Sequence, residues 1–136
     1  MDMISKTGSM VVTAPMVGAD SATINITPGG VKYNVLDSNR TPQRWKVHAA
    51  SAWLTDAVGI REGIAINIDA ITLDDNKPAL LRRGYQMVRK HISLESPREV
   101  IYGISFSAHG GLVANDVLSF SILYEAIQTI LYERIQ

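Results

Sequence analysis

Apolar and polar residues alternate along much of this chain. In Ala22-Thr23-Ile24-Asn25-Ile26-Thr27 the apolar side chains recur at every second position, the period of a strand with one buried face. Pro28-Gly29-Gly30 is a turn signal. It leads into a second alternating run, Val31-Lys32-Tyr33-Asn34-Val35-Leu36, closed by Asp37-Ser38-Asn39. Residues 9–14 are rich in strand formers and stop at Pro15; Arg44 to Ala49, Ile64 to Ile68 and Val100 to Ser107 are further strand candidates. Residues 44–58 fit either an extended strand or an Ala-rich helix. Residues 77–92 carry helical features as well, with Asn76 as cap and Pro78 near a first turn. Gly84 weighs against a helix there by about 1 kcal/mol relative to Ala, so the expectation is a loop up to Gly84 and a strand over 85–95.

The C-terminal pattern differs. Gly110-Gly111 breaks the strand before it, and Asn115 or Asp116 can cap the free amides of a helix start. Val117, Phe120, Leu123, Tyr124, Ile127, Ile130 and Leu131 then recur at spacings of three and four, predicting a helix over 114–134. Leu118, Ile122 and Ala126 form a second apolar line, well round from the first. A helix apolar on two sides needs a second surface to cover it, so these three residues are the candidate dimer interface. The order of strands followed by one long helix, or two short ones, makes the expected fold class α+β with an incomplete monomer core.

A length of 136 residues fits a single domain spanning 1–136, and 46% hydrophobic with 19% charged residues is a globular composition. The chain has no cysteine, which removes disulfides, Cys-bearing zinc sites and thiol catalysis. No run of about 18 apolar residues predicts a membrane span, and Met1 to Lys6 does not read as a secretory leader. Formal net charge is zero, but its distribution is uneven. Residues 77–98 hold Lys77, Arg82, Arg83, Arg89, Lys90 and Arg98 against Glu95 alone, a local excess of five that the rest of the chain balances. Such polarity suits a subunit that faces a polyanion on one side; a solvated basic face is the plainer alternative.

Two segments carry a family resemblance. Arg83-Gly84-Tyr85-Gln86-Met87-Val88-Arg89-Lys90-His91-Ile92 resembles the basic, Tyr-opened strand of levivirus-type single-stranded RNA bacteriophage coat proteins. Arg98-Glu99-Val100-Ile101-Tyr102-Gly103-Ile104-Ser105-Phe106-Ser107 resembles their final strand. The resemblance implies an N-terminal β-hairpin, an antiparallel sheet of about five strands, and C-terminal helices packed across a dimer partner. It further implies a capsid subunit that dimerises, assembles into an icosahedral shell in a bacterial host's cytoplasm and packages single-stranded RNA, with no cofactor or metal. Family members bind an RNA hairpin on a sheet face. Carried onto this chain, Arg82, Arg83, Arg89 and Lys90 become phosphate contacts, joined by His91, Ser105 and Ser107. Alternation puts Arg89, His91 and Ser93 on one strand face and Gly103, Ser105 and Ser107 on one face of the next, with Tyr102, Ile104 and Phe106 opposite.

Catalytic readings are weaker. His48, His91 and His109 stand in unlike contexts, and Ser107-Ala108-His109-Gly110-Gly111 is like an esterase oxyanion loop without the accompanying G-x-S-x-G turn. Asp74-Asp75 has no metal-ligand spacing around it and reads as a solvated turn. Trp45 and Trp53 read as core or interface anchors. A non-enzymatic capsid subunit is the expectation. A small oligomeric nucleic-acid- or anion-binding module is the alternative, and an interface-site enzyme the third.

Overall fold

Where the sequence alternates, the chain is extended, and extension dominates the described residues. The computed structural model describes residues 3–27, 31–34, 39–42, 44–58, 63–71, 78–85, 91–100 and 103–127. In chain order the elements are β1 (Ile4–Val11), a six-residue helix α1 (Ala14–Ala19), β2 (Ala22–Ile26), β3 (Val31–Asn34), β4 (Asn39–Pro42) and β5 (Trp45–Thr55). They continue with β6 (Ala65–Ile71), β7 (Pro78–Tyr85), β8 (His91–Ser93), β9 (Arg98–Val100), β10 (Gly103–His109) and β11 (Val117–Ala126).

Two antiparallel sheets share these strands. The first runs β1-β11-β5-β8, with β9 pairing the same edge of β5 as β8 does. The second runs β2-β10-β6-β7, and β3 and β4 form a separate hairpin. If β8 and β9 are taken as one interrupted strand and the hairpin is set aside, eight strands remain. In chain order their sheet orders are 1-8-3-6 and 2-7-4-5. That order is the double-sheet jelly roll.

The core lies between the sheets, and β11 shows how the sequence makes it. Leu118, Phe120, Ile122 and Tyr124 point inward and are buried, while Ser119, Ser121, Leu123 and Glu125 alternate on the other side. Phe120 stacks on Phe106 of the opposing sheet, ring centroids 5.1 Å apart and 18° from parallel. Its other flank needs Gly8 on the neighbouring strand, because a Cβ there would come within 2.7 Å of the Phe120 ring. Trp45 meets Tyr124 edge to face at 5.5 Å. β5 is buried at Trp45 and Val47, then at Ala50, Ala52 and Leu54. The change of phase marks a bulge at His48, where pairing with β11 slips by one residue.

The α+β expectation is therefore overturned: residues 117–126 are a strand, not a helix, and the fold is a β-sandwich. The spacings of three and four arose because the outward side of β11 is itself half-buried. It accommodates Val117 and Leu123, which fall between the inward residues and imitate a helical stripe. With the helix goes its second apolar line. Leu118 and Ile122 are 0% and 2% exposed inside their own chain, and Ala126 packs against the same core from the end of β11. The single five-stranded sheet and the helices crossing to a partner, which the levivirus-type resemblance implied, are not the architecture. Residues 78–85 are a strand where a loop was expected, and β8 is three residues of the strand expected over 85–95, of which 86–90 lie outside the described residues. Residues 44–58 are strand over Trp45–Thr55.

The free edge of β1 carries one charge. Lys6 pairs with Ile122 and so points to the inward side of the sheet, a placement that opposes edge-to-edge pairing with another chain.

Candidate functional site

The described residues among those expected to contact RNA do not converge. Ser105 and Ser107 lie on the outward side of the second sheet, Ser105 paired with Asn25 and Asp69, Ser107 with Thr23 and Asn67. Ile104 and Phe106, between and beyond them, are interior as alternation predicts. Ser105 is nevertheless only 4% exposed, so its hydroxyl offers little to a ligand. Arg82 pairs with Ile68, and its guanidinium reaches over the rim to Glu95, 3.0 Å away. Arg83 pairs with Asn67 at the same edge. His91 is in the other sheet, paired with Trp53. Arg89 and Lys90 lie outside the described residues, as do Asp74, Asp75 and Tyr102. The segment expected to act as one basic strand is thus divided between two sheets.

The outward side of the first sheet gathers polar groups the sequence reading did not single out. Register aligns Thr7, Ser121, Ser51 and Ser93 in one row across four strands, and Ser9, Ser119, Trp53 and His91 in the next. Ser9 and Ser119 join hydroxyl to hydroxyl at 3.0 Å. At the β5 bulge His48 Nε2 lies 2.7 Å from Glu125 Oε1, both side chains about one-fifth exposed. Hydroxyl residues at alternate positions, Ser5, Thr7 and Ser9 and then Ser119 and Ser121, were the visible signal, but only strand register shows that they form one surface.

Two carboxylates organise the loops at one end of the sandwich. Asp116, 0% exposed, accepts the amide of Ala57 at 2.9 Å on Oδ1 and that of Val113 at 2.8 Å on Oδ2. Its own carbonyl accepts from Val12 at 2.7 Å, which ties the end of β1 to the start of β11. Asp20 accepts from the amides of Gly110, Gly111 and Leu112 at 2.9–3.3 Å. These donors, Gly111 first and then Leu112 and Gly110, hold the Asp20 carboxyl below its ordinary range. Gly110 and Gly111 have φ of +104° and +110°, open to glycine and strained for other residues, and this turns their amides toward Asp20. The glycine break is legible in sequence; the carboxylate it serves is not.

Inside the sandwich, a void beside Trp45, Ile104 and Tyr124 measures about 10 Å³, at the threshold for one water. The described interior is filled by side chains such as Tyr124, Phe106, Ile66 and Ile68. The class this defines is a jelly-roll β-sandwich with a packed interior, whose candidate sites are on its surface. Among the described residues no helix is long and apolar enough to cross a membrane.

No family model matches the chain, and no curated protein matches it. Among solved structures it is similar to a chain of the "Acidic stable capsid structure of Helicobacter pylori bacteriophage KHP30". The identity is 12%, over 90% of this chain and 97% of that one, with a TM-score of 0.43. The fold assignment rests on the strand pairing described above.

Proposed function

We propose that this chain is a structural subunit of a bacteriophage shell and performs no catalysis. The observation that carries the reading is the jelly-roll strand order around an interior filled with apolar side chains. Jelly rolls serve as capsid units, lectins and cupins, and the fold alone does not choose among them. A cupin-like interior site needs room inside the sandwich, and here Phe106, Phe120 and Tyr124 occupy it. What remains is work done at surfaces.

The surface suits contact with further subunits. Val11, Val117 and Thr55 form an outward row at one end, with Val58 just beyond, and Val11 and Val58 are among the exposed large apolar residues. Exposed apolar groups gathered at one place mark protein contacts. Lys6 keeps the β1 edge from open-ended pairing, which directs assembly to side faces. The Leu118 and Ile122 line has no part in this reading, being interior.

Sedimentation and negative-stain electron microscopy of the purified chain test the proposal. Closed particles of many subunits are the expected result, and Val11→Asp with Val58→Asp should return them to small species that keep a cooperative thermal transition. A wild-type chain that stays monomeric up to hundreds of micromolar would overturn it. The absorbance ratio of the particles at 260 and 280 nm reads any packaged nucleic acid independently.

A further inference from the structure

The outward side of the first sheet holds a cavity of about 370 Å³, within the size range of small-molecule sites. Three features of the chain build it. The β5 bulge displaces His48 from the ladder, and bulges re-aim side chains beside functional sites. At the same level the edge of β5 changes partner, from β8 at Ser51–Trp53 to β9 at Trp45–Val47. The intervening segment, from Leu94 to Pro97, leaves the ladder after the Leu94 amide reaches the Ala50 carbonyl at 2.9 Å, and forms one wall. The Arg82–Glu95 ion pair straps that wall to β7 of the other sheet. Third, the floor carries the hydroxyls of Ser121 and Ser51 beside the apolar pair Leu123 and Ala49, with Ser93 and Ser5 at the margins.

The chemistry of the lining selects a ligand class. Each serine hydroxyl can donate and accept, and adjacent strands repeat them at about 4.8 Å. His48 Nε2 lies 2.7 Å from Glu125 Oε1, and the ring keeps Nδ1 as a second hydrogen-bonding nitrogen. Of the charged groups around the cavity, Glu95 is paired with Arg82, and the Glu125 carboxylate is engaged by the His48 ring. A polyanion gains little from a site so balanced, whereas a neutral polyhydroxylated molecule meets a donor or acceptor at each strand. Trp53, half-buried at the next outward position after Ser51, stands one row outside the lining hydroxyls, near enough for its emission to report on them. We propose that this cavity binds a neutral saccharide.

The proposal is independent of shell assembly and is tested on the full chain, as particles or as free subunits. Isothermal titration calorimetry with maltotriose and with tri-N-acetylchitotriose, paired with tryptophan fluorescence, reads binding; heparin serves as the polyanion comparator. Saturable binding of at least one trisaccharide, with a change in tryptophan emission, is expected. Ser93→Leu, at the exposed margin, should weaken it about tenfold or more, and Ser51→Leu with Ser121→Leu should abolish it. An unchanged thermal midpoint of Ser93→Leu keeps the comparison valid if the double variant folds poorly. No saturable binding of either trisaccharide, binding of heparin alone, or trisaccharide binding that survives Ser93→Leu unchanged would each overturn the assignment.

Discussion

At one end of the sandwich, where β1 and β5 finish and β11 begins, amides from two loops converge on the carboxylates of Asp116 and Asp20. At the other end, where β11 finishes, Trp45, Tyr124, Val47 and Val100 close the gap with apolar surface. The first end satisfies its polar groups with charge-assisted hydrogen bonds. The second leaves the Trp45 indole N–H buried without an acceptor among the described residues. The difference follows from what each end joins. Long loops bring unpaired backbone amides that must be met, and a carboxylate meets two or three at once. Among the described residues of the second end, the strand ends bring side chains, and these meet by packing.

The largest expected effect breaks the apolar side. Ile122→Asp places an uncompensated charge between the sheets, and the chain should fail to fold, not merely fail to assemble. Tyr124→Ala, at the same end, should cost about 3–5 kcal/mol as large-to-small core changes do. Chemical denaturation followed by circular dichroism measures both. A folded, soluble Ile122→Asp monomer of wild-type stability would contradict the interior placement of β11 and restore the idea that this line faces a partner.

The two ends also differ in how far the sequence disclosed them. Alternation in 22–27 and 100–107 placed β2 and most of β10, and set Ile104 and Phe106 against Ser105 and Ser107 correctly. It failed on β11 because Val117 and Leu123 occupy an outward face that is itself partly covered, so two apolar faces of a strand imitated two faces of a helix. Ser119 and Ser121, alternating between Leu118, Phe120 and Ile122, were the better guide. Asp116 was one of two candidate helix caps, with Asn115 the other. The chemistry of that reading survives, a carboxylate accepting backbone amides, but the amides come from Ala57 and Val113 and not from a helix. Division into two sheets, like the hydroxyl row from Thr7 to Ser93, depends on pairings between residues far apart in the chain, which local periodicity does not encode.

An intermediate effect sharpens the polar side. Asp116→Asn keeps the shape of the side chain but replaces one accepting oxygen with an NH₂ group. Either the Ala57 or the Val113 amide then loses its acceptor in a partly buried place. A cost of roughly 1.5–3 kcal/mol is expected for one lost bond to a charged group, read as a lowered denaturation midpoint with an unchanged slope. A variant as stable as the wild type would show that these loops do not depend on the carboxylate.

The smallest effect is a matter of pH. Asp20 is solvent-accessible, and three amides hold its carboxyl below its ordinary range, with His109 adding a minor electrostatic pull in the same direction. A carboxyl whose folded value is depressed stabilises the fold fully above its unfolded value, about 3.9. That contribution is lost as pH falls through the lower folded value. Asp20→Asn retains an accepting oxygen but does not titrate. The stability gap between wild type and Asp20→Asn should therefore be constant from pH 7 to about 5 and narrow below about 4, where the wild-type carboxyl takes up its proton. Urea midpoints of both proteins at pH 7, 5, 4 and 2.5 measure the gap. If it stays constant to pH 2.5, the Gly110–Gly111 turn holds Asp20 by shape and not by charge, and the contrast between the two ends rests on Asp116 alone.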